Sequence, residues 1–420
     1  MHGLVKIPKD QIDEKFLKKA LRATGESYAN TKVVDCWEED DDNWLIPRQW
    51  ALTQGHSVSL PNNRKADWGS FRGDYREGQL ESILACTQGL QQHYGGRLEA
   101  YMGSGKTLMT CDIASRLKTK TLILVHKEDL IDQWRETAKE HFGVEAGIIQ
   151  QDKWQHSSPI TVGIMQTLYS RLNQLPAKFW KEFGMVVTDE GHRVPARTFL
   201  KVVNNFNSRY KFGVSATWRR SDNLEIIWDW SIGPILHKLE KTFSGSYYCR
   251  SFKGSFTDKR YKMWGSHNLN HSKYVTDISK DGTHNDRLLK EISKCRQAGR
   301  KILVVSERTE QLRFLQKRTK NSALYMGTMS KNDRDRAKKA QVIFGTRGKI
   351  GEGSDISDLD TLFLATPMGD VEQIVGRIVR EKSGKKPILV VDLYPDTPYN
   401  KALATKRSKI YTKLGLQEFK

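Results

Sequence analysis

Short runs rich in branched apolar residues recur along this 420-residue chain, with amphipathic stretches of helical length between them. From Arg97 onward the runs fall at 121–125, 160–164, 185–188 and 212–214, with amphipathic stretches such as 104–117 and 128–142 between them. A run with no polar alternation is a strand covered on both faces. Strands alternating with helices build a parallel sheet. A second series begins after residue 284, with strands at 301–305, 340–344, 361–364 and 387–392. The expected fold class is α/β, with two tandem parallel-sheet lobes.

Three further segments complete the expected organisation. Residues 1–70 read as a small α+β accessory domain: a helix over 10–21, strands at 31–37 and 44–47, and an acidic solvated turn at 38–42. The first lobe then covers 71–240 and the second 284–400, with a C-terminal helix at 401–420. Between the lobes, residues 241–283 form a linker or insertion where alternation fails and the composition becomes basic and aromatic. There Lys259, Arg260 and Lys262 accompany Tyr261 and Trp264. Cations on a nucleic-acid backbone with aromatic faces on unpaired bases are one reading of it. A small subdomain whose aromatics form its own core is the other.

Composition narrows the classes. The chain has 69 Lys and Arg against 49 Asp and Glu, a net charge of +20, which points to a polyanionic partner. Its apolar runs are far shorter than a bilayer span, and its first residues lack a secretory signal, so no membrane role is expected. Five scattered cysteines never form Cys-x-x-Cys, which argues against disulfides and structural zinc and for a reducing, cytoplasmic setting.

Chemistry enters at Ala100-Tyr101-Met102-Gly103-Ser104-Gly105-Lys106-Thr107, a phosphate-binding loop pattern with Ala in place of the first Gly. Gly103 and Gly105 permit the curvature that aims successive N–H groups, including that of Ser104, at phosphate oxygens. Lys106 would reach the β and γ phosphates of ATP, and the Thr107 hydroxyl would ligate Mg²⁺. The strand ending in Asp189-Glu190 supplies the expected second carboxylate pair: Asp189 for Mg²⁺, Glu190 to polarise the attacking water.

With its next residues the run reads Asp189-Glu190-Gly191-His192, and here the chain resembles superfamily 2 helicases over residues 70 to 415. The resemblance implies RecA-like lobes and further roles. Arg76 and Gln79 would recognise adenine, and His192, Ser215 and Thr217 would couple hydrolysis to movement. Lys127, Gln166, Thr167 and Thr346 would contact DNA, while Gly353 and Asp355 would sit near the nucleotide. The run from Gln373 to Arg380 matches Gln-x-x-Gly-Arg-x-x-Arg. Arg377 and Arg380 lie three apart on one helix face, as a pair of arginine fingers would.

Residues 213–222 and Ile232-Gly233-Pro234 resemble the branch-migrating group that contains XPB, UvsW and RecG types, and the compact length looks most like a tailed-phage fork-remodelling helicase (its setting then the host cytoplasm). That resemblance implies a monomeric ATP-dependent DNA helicase that tracks one strand 3′-to-5′ on forked or branched DNA. An RNA helicase, a double-strand translocase without unwinding, and an ATP-switched nucleic-acid clamp stay open.

Overall fold

The computed structural model describes residues 3–27, 30–191, 196–219, 222–253, 261, 269–327, 329–350, 358–369, 371–379 and 384–419. The chain divides into two compact units, Met1–Glu240 and Lys241–Lys420. Among the described residues, no helix is long and apolar enough to cross a membrane.

The first unit opens with β1 (Val5–Pro8), β2 (Arg22–Ser27), β3 (Asn30–Asp35), β4 (Glu38–Glu39) and β5 (Asn43–Ile46). These make two small antiparallel sheets, β1-β5-β4 and the β2-β3 hairpin. The helix expected over 10–21 is a 3₁₀ turn followed by a helix, Glu14–Ala20, started by Asp13, whose carboxylate accepts from the Phe16 N–H at 2.7 Å. The acidic turn is only partly a solvated loop. Glu38–Glu39 is a strand, and Asp40 accepts from the N–H groups of Asp42 and Asn43. The Lys6 ammonium, 2.7 Å away, and the Asn43 side chain hold the Asp40 carboxyl well below the usual range.

The main sheet contains β6 (Gly95–Ala100), β7 (Thr121–Val125), β8 (Gly147–Gln150), β9 (Lys153–Gln155), β10 (Ile160–Ile164), β11 (Met185–Asp189), β12 (Tyr210–Ser215) and β13 (Ile235–Leu239). Its order is β13-β6-β12-β11-β7-β10-β8-β9, parallel except for the β8-β9 hairpin. Every residue of β7, β10, β11 and β12 is buried, as a sheet covered on both faces requires. The helix Asp129–Phe142 covers one face with Ile131, Trp134, Ala138 and Phe142, and Gly143 ends it in a left-handed conformation (φ 68°). The N-terminal segment shares a core with the other face, where Ile7, Leu17, Trp44, Ile46 and Trp50 belong to one buried cluster with Phe199, Phe206, Trp228 and Ile232. Arg48 fastens it by donating to the carbonyls of Ser208 (2.7 Å) and Tyr94 (3.0 Å).

The second unit carries β14 (Gly245–Phe252), β15 (Ile302–Ser306), β16 (Ser322–Tyr325), β17 (Val342–Thr346), β18 (Thr361–Leu364), β19 (Ile388–Pro395) and β20 (Gln417–Glu418), in the wholly parallel order β16-β17-β15-β18-β19-β14-β20. The 241–283 segment contributes to this sheet, because β14 pairs with β19 along its whole length. Its aromatics mostly serve the interior: Phe243, Tyr247, Phe252, Tyr261 and Tyr274 are all buried. Tyr261 packs edge-on against Tyr274 at 4.8 Å and donates to Asp277 at 3.0 Å, so the expectation of an exposed stacking ring there is corrected. Lys259, Arg260, Lys262 and Trp264 lie outside the described residues.

The C-terminal helix Pro398–Lys413 is tied to this sheet by a buried ion pair. The Arg407 guanidinium donates to both Asp392 oxygens (Nε–Oδ2 2.6 Å, Nη2–Oδ1 2.9 Å), and its Nη1 donates to the Met368 carbonyl at 2.8 Å. A forked pair of this kind satisfies both charges where water is excluded.

Candidate active site

Three adjacent strands of the first unit, in the order β6-β12-β11, bring the motif residues together at their C-terminal ends. Neighbouring strands are about 4.8 Å apart, so loops that leave three in succession share one small region. This is the edge of an open α/β sheet where ligands sit.

The loop after β6 turns at Gly103 (φ 82°) and Gly105 (φ 85°), both left-handed. The helix Lys106–Arg116 starts at Gly105 with no side-chain cap, which leaves its first N–H groups available to an anion. Gln79 supports the loop from behind, where its Nε2 donates to the Ser104 carbonyl at 2.6 Å and its Oε1 accepts from the Arg76 N–H at 2.8 Å. Arg76 Nη1 donates to the Gly103 carbonyl at 3.1 Å. A Cβ on Gly105 would displace the Gln79 amide, 2.4 Å away, and the left-handed φ of 85° itself favours glycine there.

Lys106 Nζ lies 3.8 Å from Glu190 Oε1 and donates to the Ala100 carbonyl at 3.2 Å. Glu190 holds a left-handed backbone (φ 50°) that a non-glycine residue adopts at a cost of order 1–3 kcal/mol. Its N–H donates to the Val214 carbonyl at 2.9 Å. The Ser215 hydroxyl reaches Glu190 Oε2 (3.0 Å) and the Thr217 carbonyl (2.6 Å), so the last residue of β12 touches the carboxylate after β11.

Two further residues hold the groups expected to face Mg²⁺. Gln133 Nε2 donates to Thr107 Oγ1 at 2.9 Å, and Trp134 Nε1 donates to Asp189 Oδ2 at 3.0 Å. The signal for Trp134 was its place on the buried face of an amphipathic helix, since a buried indole N–H needs an acceptor. The donor set fits ATP with Mg²⁺: two oxygen ligands, Thr107 and Asp189, suit an ion that completes its shell with phosphate and water. The buried Ser104 hydroxyl, which lacks a hydrogen-bond partner among the described residues, lies within the same loop.

Trp218, after the Ser-Ala-Thr run, is buried. Its ring lies under the Arg97 guanidinium at 5.3 Å, and its Nε1 donates to the Leu98 carbonyl at 3.3 Å. A Cβ on Gly213 would meet that ring at 2.5 Å, so Gly213 and Trp218 fit as a pair.

Lys127 follows β7, and Gln166 and Thr167 open the helix Met165–Ser170 after the neighbouring β10. They share the sheet edge with the loop. In the second unit, Thr346 ends β17 and Arg377 is buried on the helix Glu372–Ile378. His192, Gly353, Asp355 and Arg380 lie outside the described residues, as does the side chain of Gln373.

Comparison with known proteins agrees with this geometry. Residues 72–220 match the family model described as type III restriction enzyme, res subunit. Over 337 residues the chain is 31% identical to a protein of Acanthamoeba polyphaga mimivirus whose assigned name is ATP-dependent RNA helicase, covering 77% of this chain and 64% of that protein's length. It is also 31% identical over 149 residues to the DNA 3'-5' translocase XPB2 of Sulfurisphaera tokodaii, 35% of this chain and 33% of that one. Among solved structures, the fragment of an HsdR subunit assigned to a type I restriction enzyme of Vibrio vulnificus superposes with a TM-score of 0.59 at 16% identity, over 84% of this chain and 69% of that one. In sequence the chain is thus similar to proteins named as helicases and translocases, of which it spans under two thirds of the length.

Proposed function

We propose that this chain is an ATP-dependent DNA helicase or translocase that unwinds or branch-migrates forked and branched DNA in replication, recombination or repair. The observation that carries the ATPase part is the convergence of Lys106, Glu190 and Ser215 at three adjacent strand ends. Lys106 would hold the β and γ phosphates, Glu190 would accept the proton of the attacking water, and Gln79 with Arg76 would read adenine. Mg²⁺, held through Thr107 and Asp189, would supply charge neutralisation at the phosphates. Arg377 and Arg380 would add guanidinium charge to the γ-phosphate, with Gly353, Asp355 and Gln373 near the nucleotide. His192, Ser215 and Thr217 would couple turnover to movement over Lys127, Gln166, Thr167 and Thr346.

The name of the Sulfurisphaera relative supports DNA and 3′-to-5′ movement; that of the mimivirus relative favours RNA as the second reading. One comparison separates them. ATPase and strand displacement are measured on forked DNA, a four-way junction, linear duplex and RNA. Forked DNA should give the greatest stimulation and displacement. Stimulation by RNA alone would replace the DNA reading, and turnover without displacement on any substrate would leave a clamp.

A further inference from the structure

The charge of this protein is divided very unequally. Residues 1–240 hold 32 Lys and Arg against 30 Asp and Glu, a net of +2. Residues 241–420 hold 37 against 19, a net of +18. Both units are parallel α/β sheets, so the difference does not follow from architecture.

Much of the excess in the second unit lies where its strands begin. The helix Gly282–Gln297 leads through Arg296 to β15, and Thr309–Lys317 leads through Lys317, Arg318 and Lys320 to β16. Helix Lys331–Ala337 leads through Lys339 to β17, and Lys386 stands just before β19. The strands β16, β17 and β15 are neighbours, with β18 between β15 and β19. At about 4.8 Å per strand the row spans roughly 20 Å. Cross-links gather these turns on one face: Gln341 Nε2 donates to the carbonyls of Arg296 (2.8 Å) and Arg300 (3.2 Å), Lys301 Nζ donates to the Lys339 carbonyl at 3.3 Å, and Lys386 Nζ donates to the Ala298 carbonyl.

Nearby acids do not quench this row. Asp360 and Asp358 pair with Arg300 (3.3 Å) and Lys301 (3.5 Å), and Asp335 pairs with Lys338 (2.7 Å). Arg296, Lys317, Arg318, Lys320, Lys339 and Lys386 have no carboxylate within 4.0 Å among the described residues, and all but the half-buried Arg296 are exposed. The corresponding edge of the first unit is different. Lys120 there pairs with Glu182 and Lys139 with Glu145, both at 2.5 Å. A cation at a helix C-terminus complements the helix dipole, which accounts for one charge per helix but not for three around the turn into β16.

The expected motor contacts occupy the opposite end of the sheet. Thr346 ends β17, about 13 Å of strand away from Val342, where β17 starts. We infer that the strand-start edge of the second unit is a separate docking surface for the phosphate backbone of a duplex DNA arm, one not threaded through the motor. Duplex DNA carries about one charge per 1.7 Å of axis, so an arm laid along a 20 Å row offers more than enough phosphates to engage these cations. This surface rests on the nucleic-acid reading above and adds a second point of grip to it.

The test uses the full chain with Lys317→Glu, Lys320→Glu and Lys339→Glu combined. A control combines Lys118→Glu, Lys178→Glu and Lys201→Glu, three exposed lysines of the first unit that alter net charge equally. Binding of a labelled forked DNA is followed by anisotropy over a salt series without nucleotide, and ATPase is measured with single-stranded DNA. The second-unit variant should bind the fork on the order of 10-fold more weakly. Its log–log salt slope should be shallower by about 2–3, near 0.9 for each phosphate no longer neutralised, and its single-strand-stimulated turnover should stay at the wild-type value. Unchanged fork affinity and slope would overturn the surface, and so would an equal loss in the control, which would assign the effect to diffuse charge. A wild-type ATPase indifferent to every nucleic acid would instead sink the motor reading, while fork binding without nucleotide would still judge the surface.

Discussion

The two units share a fold but divide the chemistry. The first is nearly neutral and packs its polar groups against one another: Lys106 faces Glu190, Gln133 holds Thr107, and Trp134 holds Asp189. The second carries almost the whole positive excess, and five of its exposed cations, Lys317, Arg318, Lys320, Lys339 and Lys386, have no carboxylate within 4.0 Å among the described residues. One sheet therefore presents a small constellation of mutually positioned groups, and the other a broad electrostatic field. Reaction chemistry depends on distances of a few ångströms, whereas backbone recognition depends on summed charge over tens of ångströms.

The sharpest way to break this division is at the loop. Lys106→Ala should abolish ATP hydrolysis, and Glu190→Gln should retain ATP binding while turnover falls by about 10²–10⁴-fold, as for loss of a general base. A steady-state ATPase assay beside a nucleotide-binding measurement checks both, and full turnover in either would remove the first unit from the chemistry. Next come the arginines that the second unit is proposed to lend to the reaction. Arg377→Ala should lower turnover on the order of 10³-fold if its guanidinium reaches the γ-phosphate; an unchanged rate would confine the reaction to the first unit.

Stability offers a third contrast. Arg407→Ala would leave Asp392 buried without its cation, and should destabilise the second unit by about 3–5 kcal/mol in urea unfolding. A loss below about 1 kcal/mol would mean that the forked pair is not what anchors the terminal helix.

The smallest effect belongs to Lys211 in β12 of the first unit, a fully buried amine with no hydrogen-bond partner among the described residues. Burial, with the Arg48 charge nearby, pushes its pKa well below the ordinary 10.5. The folded state thus holds this amine with less proton than the unfolded state does, so its cost is present at neutral pH and fades as pH rises toward 10.5. Lys211→Met should stabilise the protein by about 1–3 kcal/mol at pH 7, with the gain shrinking at alkaline pH. A pH series of thermal melts decides it, and equal melting temperatures at pH 7 would show that the amine carries no penalty.

Several features were legible because they are local. The buried strands 121–125 and 160–164 stand in the sequence as short runs rich in branched apolar residues, and Gly103 and Gly105 announce a loop whose curvature needs left-handed φ. Others were not. β14 lies in an aromatic, polar segment without a strand-like apolar run, and it becomes a strand by pairing with β19, some 140 residues later. Tyr261 stands among lysines, where the sequence left a stacking ring and a core ring both open, and Tyr274 and Asp277 on the helix His271–Lys280 draw it inside.

By itself, then, the sequence determined the α/β class of the two lobes, the phosphate-type loop, the carboxylate pair and the net charge. Each follows from residue type at short range: apolar runs that must be covered, glycines that permit one turn, and formal charges that simply add. Only the tertiary structure decided that Trp134 holds Asp189, that Gln79 supports the Ser104 turn, and that cations from four separate segments meet at one sheet edge. Those relations depend on strand order, which brings distant turns within a few ångströms, and no local pattern of residues encodes which strands become neighbours.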